Sequence, residues 1–121
     1  MDPTVVKATQ QFAMKLRASL PIAAFWEASG RLEADEGAQL LLAQLQERQQ
    51  ALVQKQQDGG DITQDEIDAL RRAQREAQDD PVIMAYVQTQ QHALAFLPQV
   101  NREISQLLGF DFGALAGAAS C

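Results

Sequence analysis

DPVIMAYVQTQQHALAFLPQVNREISQLLG, residues 80–109, is the stretch whose reading decides the fold. Asp80 is placed to accept from the unpaired N–H groups of a first helical turn. Pro81 follows where a missing N–H costs nothing and a fixed φ suits the helix. Val82, Tyr86, Ala93, Leu97, Val100, Ile104 and Leu107 then recur at three- to four-residue spacing, an apolar stripe of roughly six turns or more. Pro98 interrupts it. A proline there removes one backbone hydrogen bond at a cost of about 3 kcal/mol, which predicts a bend near residues 94–98. Gly109 closes the helix.

Upstream, the same logic yields more helices. Val5, Phe12 and Leu16, with Val6 and Ala13 beside them, follow Pro3 at helical spacing and predict a first helix over residues 3–18. Pro21 fits poorly inside that helix and starts a short second one carrying Ile22, Phe25 and Trp26, which Gly30 is expected to end. Asp35 is a candidate N-cap for a third helix running to about Gln57, with Leu41, Leu45 and Leu52 along one face. At ~1.5 Å per residue that helix spans on the order of 35 Å, the length of a hairpin arm. Asp58-Gly59-Gly60-Asp61 reverses the chain, because glycine supplies positive φ cheaply. Thr63 and Glu66 form a capping-box pattern that opens a fourth helix over residues 63–79. Its apolar face, Ile67, Leu70, Ala73 and Ala77, is narrow.

No β-alternation of useful length occurs. The expected fold is all-α, a four- to five-helix antiparallel bundle with a long helical hairpin. The expected organisation is a single domain over residues 1–109, followed by a flexible Gly/Ala-rich tail over 110–121. Apolar content is 46%, enough to fold, but many of those residues are Ala and only seven are aromatic. One copy therefore builds a thin core, and burial against a second chain becomes attractive.

Sixteen Asp and Glu against ten Lys and Arg give a net charge of -6, which opposes a phosphate backbone and argues against direct nucleic-acid binding. Arg71, Arg72 and Arg75 cluster, yet Glu66, Asp68 and Glu76 interleave with them as on a solvated helix face. The N-terminus lacks the features of a signal peptide, and no window approaches the ~20 apolar residues of a membrane span, so a cytoplasmic location is expected. One cysteine, Cys121, makes no internal disulfide, which fits a reducing compartment.

Candidate chemistry is sparse. His92 is the only histidine and has no Cys or second His at ligand spacing, so it reads as a surface residue. Asp65, Glu66 and Asp68 occupy a first helical turn, where carboxylates offset the helix dipole. Tyr86 and Trp26 fit core packing better than a ligand box. A Ser-His-Asp set, a phosphate loop and a CxxC motif are all missing, so no enzymatic activity is expected.

In order and spacing, several features resemble the YlbF/YmcA family of small helical regulators, with its YheA-like relatives. They are Leu16 to Ser19, the Phe25-Trp26 pair, Leu32 and Asp35, Gln56 to Gly59, Pro81-Val82 with Tyr86, and Val100-Asn101 with Ile104-Ser105. The resemblance covers nearly the whole chain. It implies a non-catalytic adaptor, paired as a homodimer or with a paralogue. In the best-known branch the adaptor works with a YaaT-type partner and with ribonuclease Y in messenger-RNA processing and development. That branch also implies an iron–sulfur cluster shared among subunits. Cys121 is the single ligand this chain could supply, so other subunits would have to complete the site.

On this reading the stripes of the third and fifth helices bury against a second subunit, with Tyr86, Leu97, Val100, Ile104, Leu41 and Leu45 at the interface. The alternative from another class is a small acidic helical holdase or secretion-type chaperone.

Overall fold

The computed structural model describes residues 1–119. Six helices account for nearly all of them: α1 (Pro3–Ala18), α2 (Leu20–Ala34), α3 (Glu36–Gln57), α4 (Gln64–Asp79), α5 (Pro81–Leu108) and α6 (Phe112–Ala119). There is no strand among the described residues. The all-α expectation holds.

Local chemistry explains each boundary. Asp2 caps α1 by accepting from the Thr4 N–H at 2.8 Å, and Pro3 takes the first helical position. Ser19 alone separates α1 from α2. It is extended (φ -67°, ψ 144°), and its N–H donates to the Lys15 and Leu16 carbonyls. Pro21 lies in the first turn of α2, where its missing N–H is no loss, whereas a continuous α1–α2 rod would need that N–H.

The sequence reading ends α2 at Gly30, but the helix continues to Ala34. The reason is backbone geometry. Among the described residues positive φ occurs only at Gly59 (76°) and Gly109 (81°), so Gly30 sits in an ordinary helical turn, bridged by the Glu27–Arg31 pair at 2.6 Å. Asp35 is the true break. It is extended, its Oδ1 accepts from the Ala38 N–H at 2.9 Å, and Gln39 Nε2 donates back to the Glu33 carbonyl at 2.7 Å. One residue pair thus closes α2 and opens α3.

The α3–α4 reversal is a Schellman motif. Gly59 N–H donates to the Gln56 carbonyl at 3.1 Å and Gly60 N–H to the Lys55 carbonyl at 2.9 Å. A Cβ at Gly60 would lie 3.0 Å from Lys55 Cγ, so the lysine stem already covers that glycine. Its ammonium reaches across the turn to Glu66, and Thr63 caps α4 through the Glu66 N–H at 3.2 Å. Asp80 Oδ1 then accepts from the N–H groups of Val82 (2.9 Å) and Ile83 (3.0 Å), starting α5 as the sequence reading expects. α5 runs unbroken through Pro98 to Gly109, whose N–H donates to the Ser105 carbonyl at 2.8 Å.

The chain has two compact units: residues 26–88, and residues 1–25 together with 89 onward. In the 26–88 unit α3 and α4 pack along each other. Its core joins Ala38, Ala77 and Ile83, and Leu32, Leu41, Leu42, Leu45, Val82 and Val87 pack against them. Residues 112–119, placed in a flexible tail by the sequence reading, form α6 in the other unit.

Opposite outcomes are expected for two glycine substitutions. Gly59→Ala forces a Cβ into the left-handed region and should cost about 1–2 kcal/mol. Gly30→Ala, in an open helical position, should gain roughly 0.5–1 kcal/mol. Denaturant midpoints at constant m-value check both. Ile83→Ala should cost about 2–5 kcal/mol by the same measurement, because Ile83 is the one large buried residue among those described.

Candidate interaction surface

No group of three or more His, Cys, Asp or Glu that could hold a metal ion occurs among the described residues. Cys121 lies outside them. A single thiol does not make the roughly four-ligand set of an iron–sulfur cluster, so this chain alone does not fit that group. The grooves are shallow and open. Those lined by Gln44 to Glu76, by Leu42 to Val87 and by Leu20 to His92 bring no nucleophile, base and oxyanion donor together.

What the molecule presents instead is apolar surface. The residues buried among those described are five alanines (Ala28, Ala38, Ala73, Ala77, Ala93) and Ile83. Large side chains remain outside. Twelve of the fifteen large apolar side chains that stay exposed fall in the unit of residues 1–25 and 89 onward, so the apolar surface belongs mainly to α1, the second half of α5, and α6. No residue of α1 is buried; Phe12 is 43% exposed and Met14 72%.

The six residues expected at an interface separate accordingly. Leu41 and Leu45 are half-buried against the Ala38–Ala77–Ile83 cluster and already serve the hairpin core. Tyr86 is half-buried in the same unit. Val100 and Ile104 are half-buried in the other unit, and Leu97 is exposed there. The sequence reading passes over Phe12 and Leu94 as surface residues, although Leu94 is 62% exposed. Its stripe also omits Ile83, which is 4% exposed. Ile83 directly follows Val82 in the sequence, which a single-face stripe cannot anticipate.

Two grooves mark the hairpin unit. One, of about 650 Å³, has Ala51, Ala69 and Ala73 between α3 and α4, with Glu47, Arg48, Arg72 and Glu76 around them. The other, of about 520 Å³, is lined by Leu42, Leu45, Ile83, Met84 and Val87, with Gln49, Gln74 and Gln78 alongside. His92 is exposed, yet it lines an apolar groove of about 360 Å³ with Leu20, Pro21 and Ala24.

Polar side chains pin α6 to α5. Asn101 Oδ1 accepts from the Gly113 N–H at 2.8 Å and Ser105 Oγ from the Phe112 N–H at 3.0 Å. Asp111 Oδ1 accepts from the Ala114 N–H at 3.0 Å and from Asn101 Nδ2 at 3.3 Å. The first three N–H groups of α6 are therefore all satisfied by side chains. A Cβ at Gly113 would meet Asn101 Oδ1 at 2.8 Å, so glycine is required there. The Ala114 N–H, then the Asn101 amide, hold the Asp111 carboxyl below its ordinary range against some desolvation. Lys55, with help from Thr63, does the same for Glu66.

Six helices and no strand among the described residues place the chain in the class of small all-α proteins. Within that class it is a member of the YlbF/YmcA family, described as control of competence regulator ComK, whose model matches residues 5–108. A UPF0342 protein of Desulfitobacterium hafniense (strain Y51) is 24% identical over 121 residues, covering 100% of this chain and 91% of that protein. A solved protein of unknown function (DUF964) from Bacillus stearothermophilus superposes with a TM-score of 0.55 at 24% identity, covering 88% of this chain and 93% of that one. That likeness shows the fold. Among the described residues no helix is long and apolar enough to cross a membrane.

Both depressed carboxyls carry the same sign. Their folded-state pKa values lie below the unfolded ones, so their contributions to stability are present at neutral pH and are lost as the pH falls below about 4. Protection of the Gly113 and Ala114 amides, taken relative to the intrinsic exchange rate at each pH, should fall over that range, and Asn101→Ala should lower it at Gly113 already at neutral pH. Lys55→Met keeps the stem over Gly60 but removes the charge. NMR titration should then show the Glu66 pKa move back up.

Proposed function

We propose that this chain is a non-catalytic regulatory adaptor that works by helix-mediated association, as a homodimer or with a paralogue, in the cytoplasm. The observation that carries the reading is the exposed apolar surface of α1, α5 and α6 in a member of a family described as a regulator. Soluble monomers rarely leave contiguous apolar patches of more than a few hundred Å² uncovered, and larger ones mark partner sites. The finer form of the proposal is a specificity factor for ribonuclease Y-dependent RNA processing, acting with a YaaT-type partner. In such a complex Cys121 would donate one thiolate to a cluster completed by cysteines of other subunits.

Exposed apolar side chains also favour a second reading, a small acidic holdase. Binding breadth separates the two. Tagged chain recovered anaerobically from its native cells should bring down one or two defined proteins, including ribonuclease Y, and leave aggregation of unrelated unfolded proteins unchanged. Broad suppression of aggregation without a defined partner would replace the adaptor with the holdase. Iron that is absent from the recovered complex, or unchanged by Cys121→Ser, would remove the cluster from the proposal.

A further inference from the structure

The groove of about 520 Å³ lies wholly within the hairpin unit, where α3, the end of α4 and the start of α5 meet. Leu42, Leu45 and Val87 pack against the Ala38–Ala77–Ile83 cluster and, like Met84, are only half-buried, so part of each still faces water. Met84 is unbranched and polarizable, a wall that can adapt to a guest side chain. The rim residues Gln49, Gln74 and Gln78 are uncharged. This lining selects the shape of an occupant. Its walls are helix side chains, and no strand among the described residues offers an edge to an extended segment. A polypeptide seated here must satisfy its own N–H and C=O groups, as a helix does. Leu42 to Gln49 run about 10 Å along α3, roughly two turns, enough to face guest side chains at i, i+3 and i+4.

Charge selects the occupant's sign. Residues 26–88 hold thirteen Asp and Glu against six Lys and Arg, a net charge of -7, while the rest of the chain holds three against four, a net charge of +1. Around the groove the bias is stronger. Residues 32–46 and 76–88, which run through the α2–α3 and α4–α5 junctions, hold Glu33, Asp35, Glu36, Glu76, Asp79 and Asp80 and no Lys or Arg. The Ala38–Ala77–Ile83 contact keeps both junctions at one end of the hairpin. Of the unit's six cations, Arg31 and Lys55 pair with Glu27 and Glu66, and Arg48 and Arg72 line the other groove. Only Arg71 and Arg75 are left, on α4 beside Gln74 and Gln78. A helix with an apolar stripe and Lys or Arg on its flanks is attracted to such a site, and one flanked by Asp or Glu is repelled.

From this pattern we infer that the groove seats a basic amphipathic helix of a partner protein. Its apolar side chains fill the space between Leu42, Leu45, Met84 and Val87, and its flanking Lys and Arg face the carboxylates of the two junctions. The apolar anchors supply the affinity, and the charges set the approach and the choice of partner. This deepens the adaptor reading, rests on it, and gives the chemistry of the segment that the adaptor takes.

Calorimetric titration of the full chain with two synthetic helical peptides of about five turns tests it. Both carry the same leucine stripe; one has lysine at every other position, the other glutamate. The leucine–lysine peptide should bind, and the leucine–glutamate peptide should bind at least about tenfold more weakly. Met84→Asp should weaken the leucine–lysine peptide at least about tenfold, although the added carboxylate would tighten a purely electrostatic attachment. Leu97→Asp adds the same charge outside this unit, at an exposed position, and should not weaken it. In the wild type, the peptide should shift the amide resonances of Leu42, Leu45, Met84 and Val87 most. If Met84→Asp loses helicity by circular dichroism, those wild-type shifts decide. Equal binding of both peptides, a well-folded Met84→Asp that binds as before, or shifts centred on α1 or α6 would each overturn the inference. So would a wild type that binds neither peptide, as when a second copy of the chain fills the groove. Failure of the peptides while one or two defined proteins are still recovered from native cells removes this groove and leaves the adaptor standing. Peptide binding as expected with no defined protein recovered does the reverse.

Discussion

Alanine at the buried contacts is the constraint on which the rest of the structure depends. With Ala38, Ala73 and Ala77 as buried residues of α3 and α4, the helices can approach closely and gain dispersion contacts along their backbones, but each methyl removes little apolar area from water. At ~25 cal/mol per Å² a buried methyl contributes a fraction of what a leucine does. Leu41, Leu42 and Leu45 stop half-exposed at the edge of the cluster, and Ile83 is left as the single large residue it encloses. A core of this kind fixes a hairpin without consuming the chain's larger apolar side chains, which therefore remain on the outside of other helices.

Secondary structure, by contrast, is specified strongly and locally. Asp2, Asp35, Thr63, Asp80 and Asp111 each accept from N–H groups two or three residues on, and Gly59 and Gly109 take the positive φ that helix ends demand. Caps of this type are worth about 0.5–2 kcal/mol apiece. They explain how helices with few buried residues keep definite ends. Lys55 does two things at the hairpin turn: its stem covers Gly60 and its ammonium reaches Glu66, so the end of α3 and the start of α4 are tied by one side chain.

The same division sets what was legible in the sequence. Caps depend on chemistry two or three residues away, so Asp35, Thr63 with Glu66, Asp80-Pro81 and Gly109 could be read directly. Gly30 misleads because glycine signals a helix end only where φ is positive, and φ is a property of the folded backbone. Helix α6 was hidden for a different reason. Its small residues look like a tail, and two of its three capping acceptors, Asn101 and Ser105, come from 12 and seven residues upstream of the N–H groups they receive. Of the surface residues, Leu41 and Leu45 could not be assigned to core or interface from periodicity, because either use places them on the same helical stripe.

Charge and apolarity are segregated along the chain, and each makes the other usable. The net charge of -7 lies on the hairpin unit, where copies of the chain repel one another, while the exposed Phe12, Leu94 and Leu97 lie in the near-neutral unit. An even spread of the same sixteen acids would penalise every approach alike and leave the apolar faces either uncovered or free to pair in any direction. Segregation leaves an acidic hairpin with capped helix ends, whose charge favours partners of opposite sign.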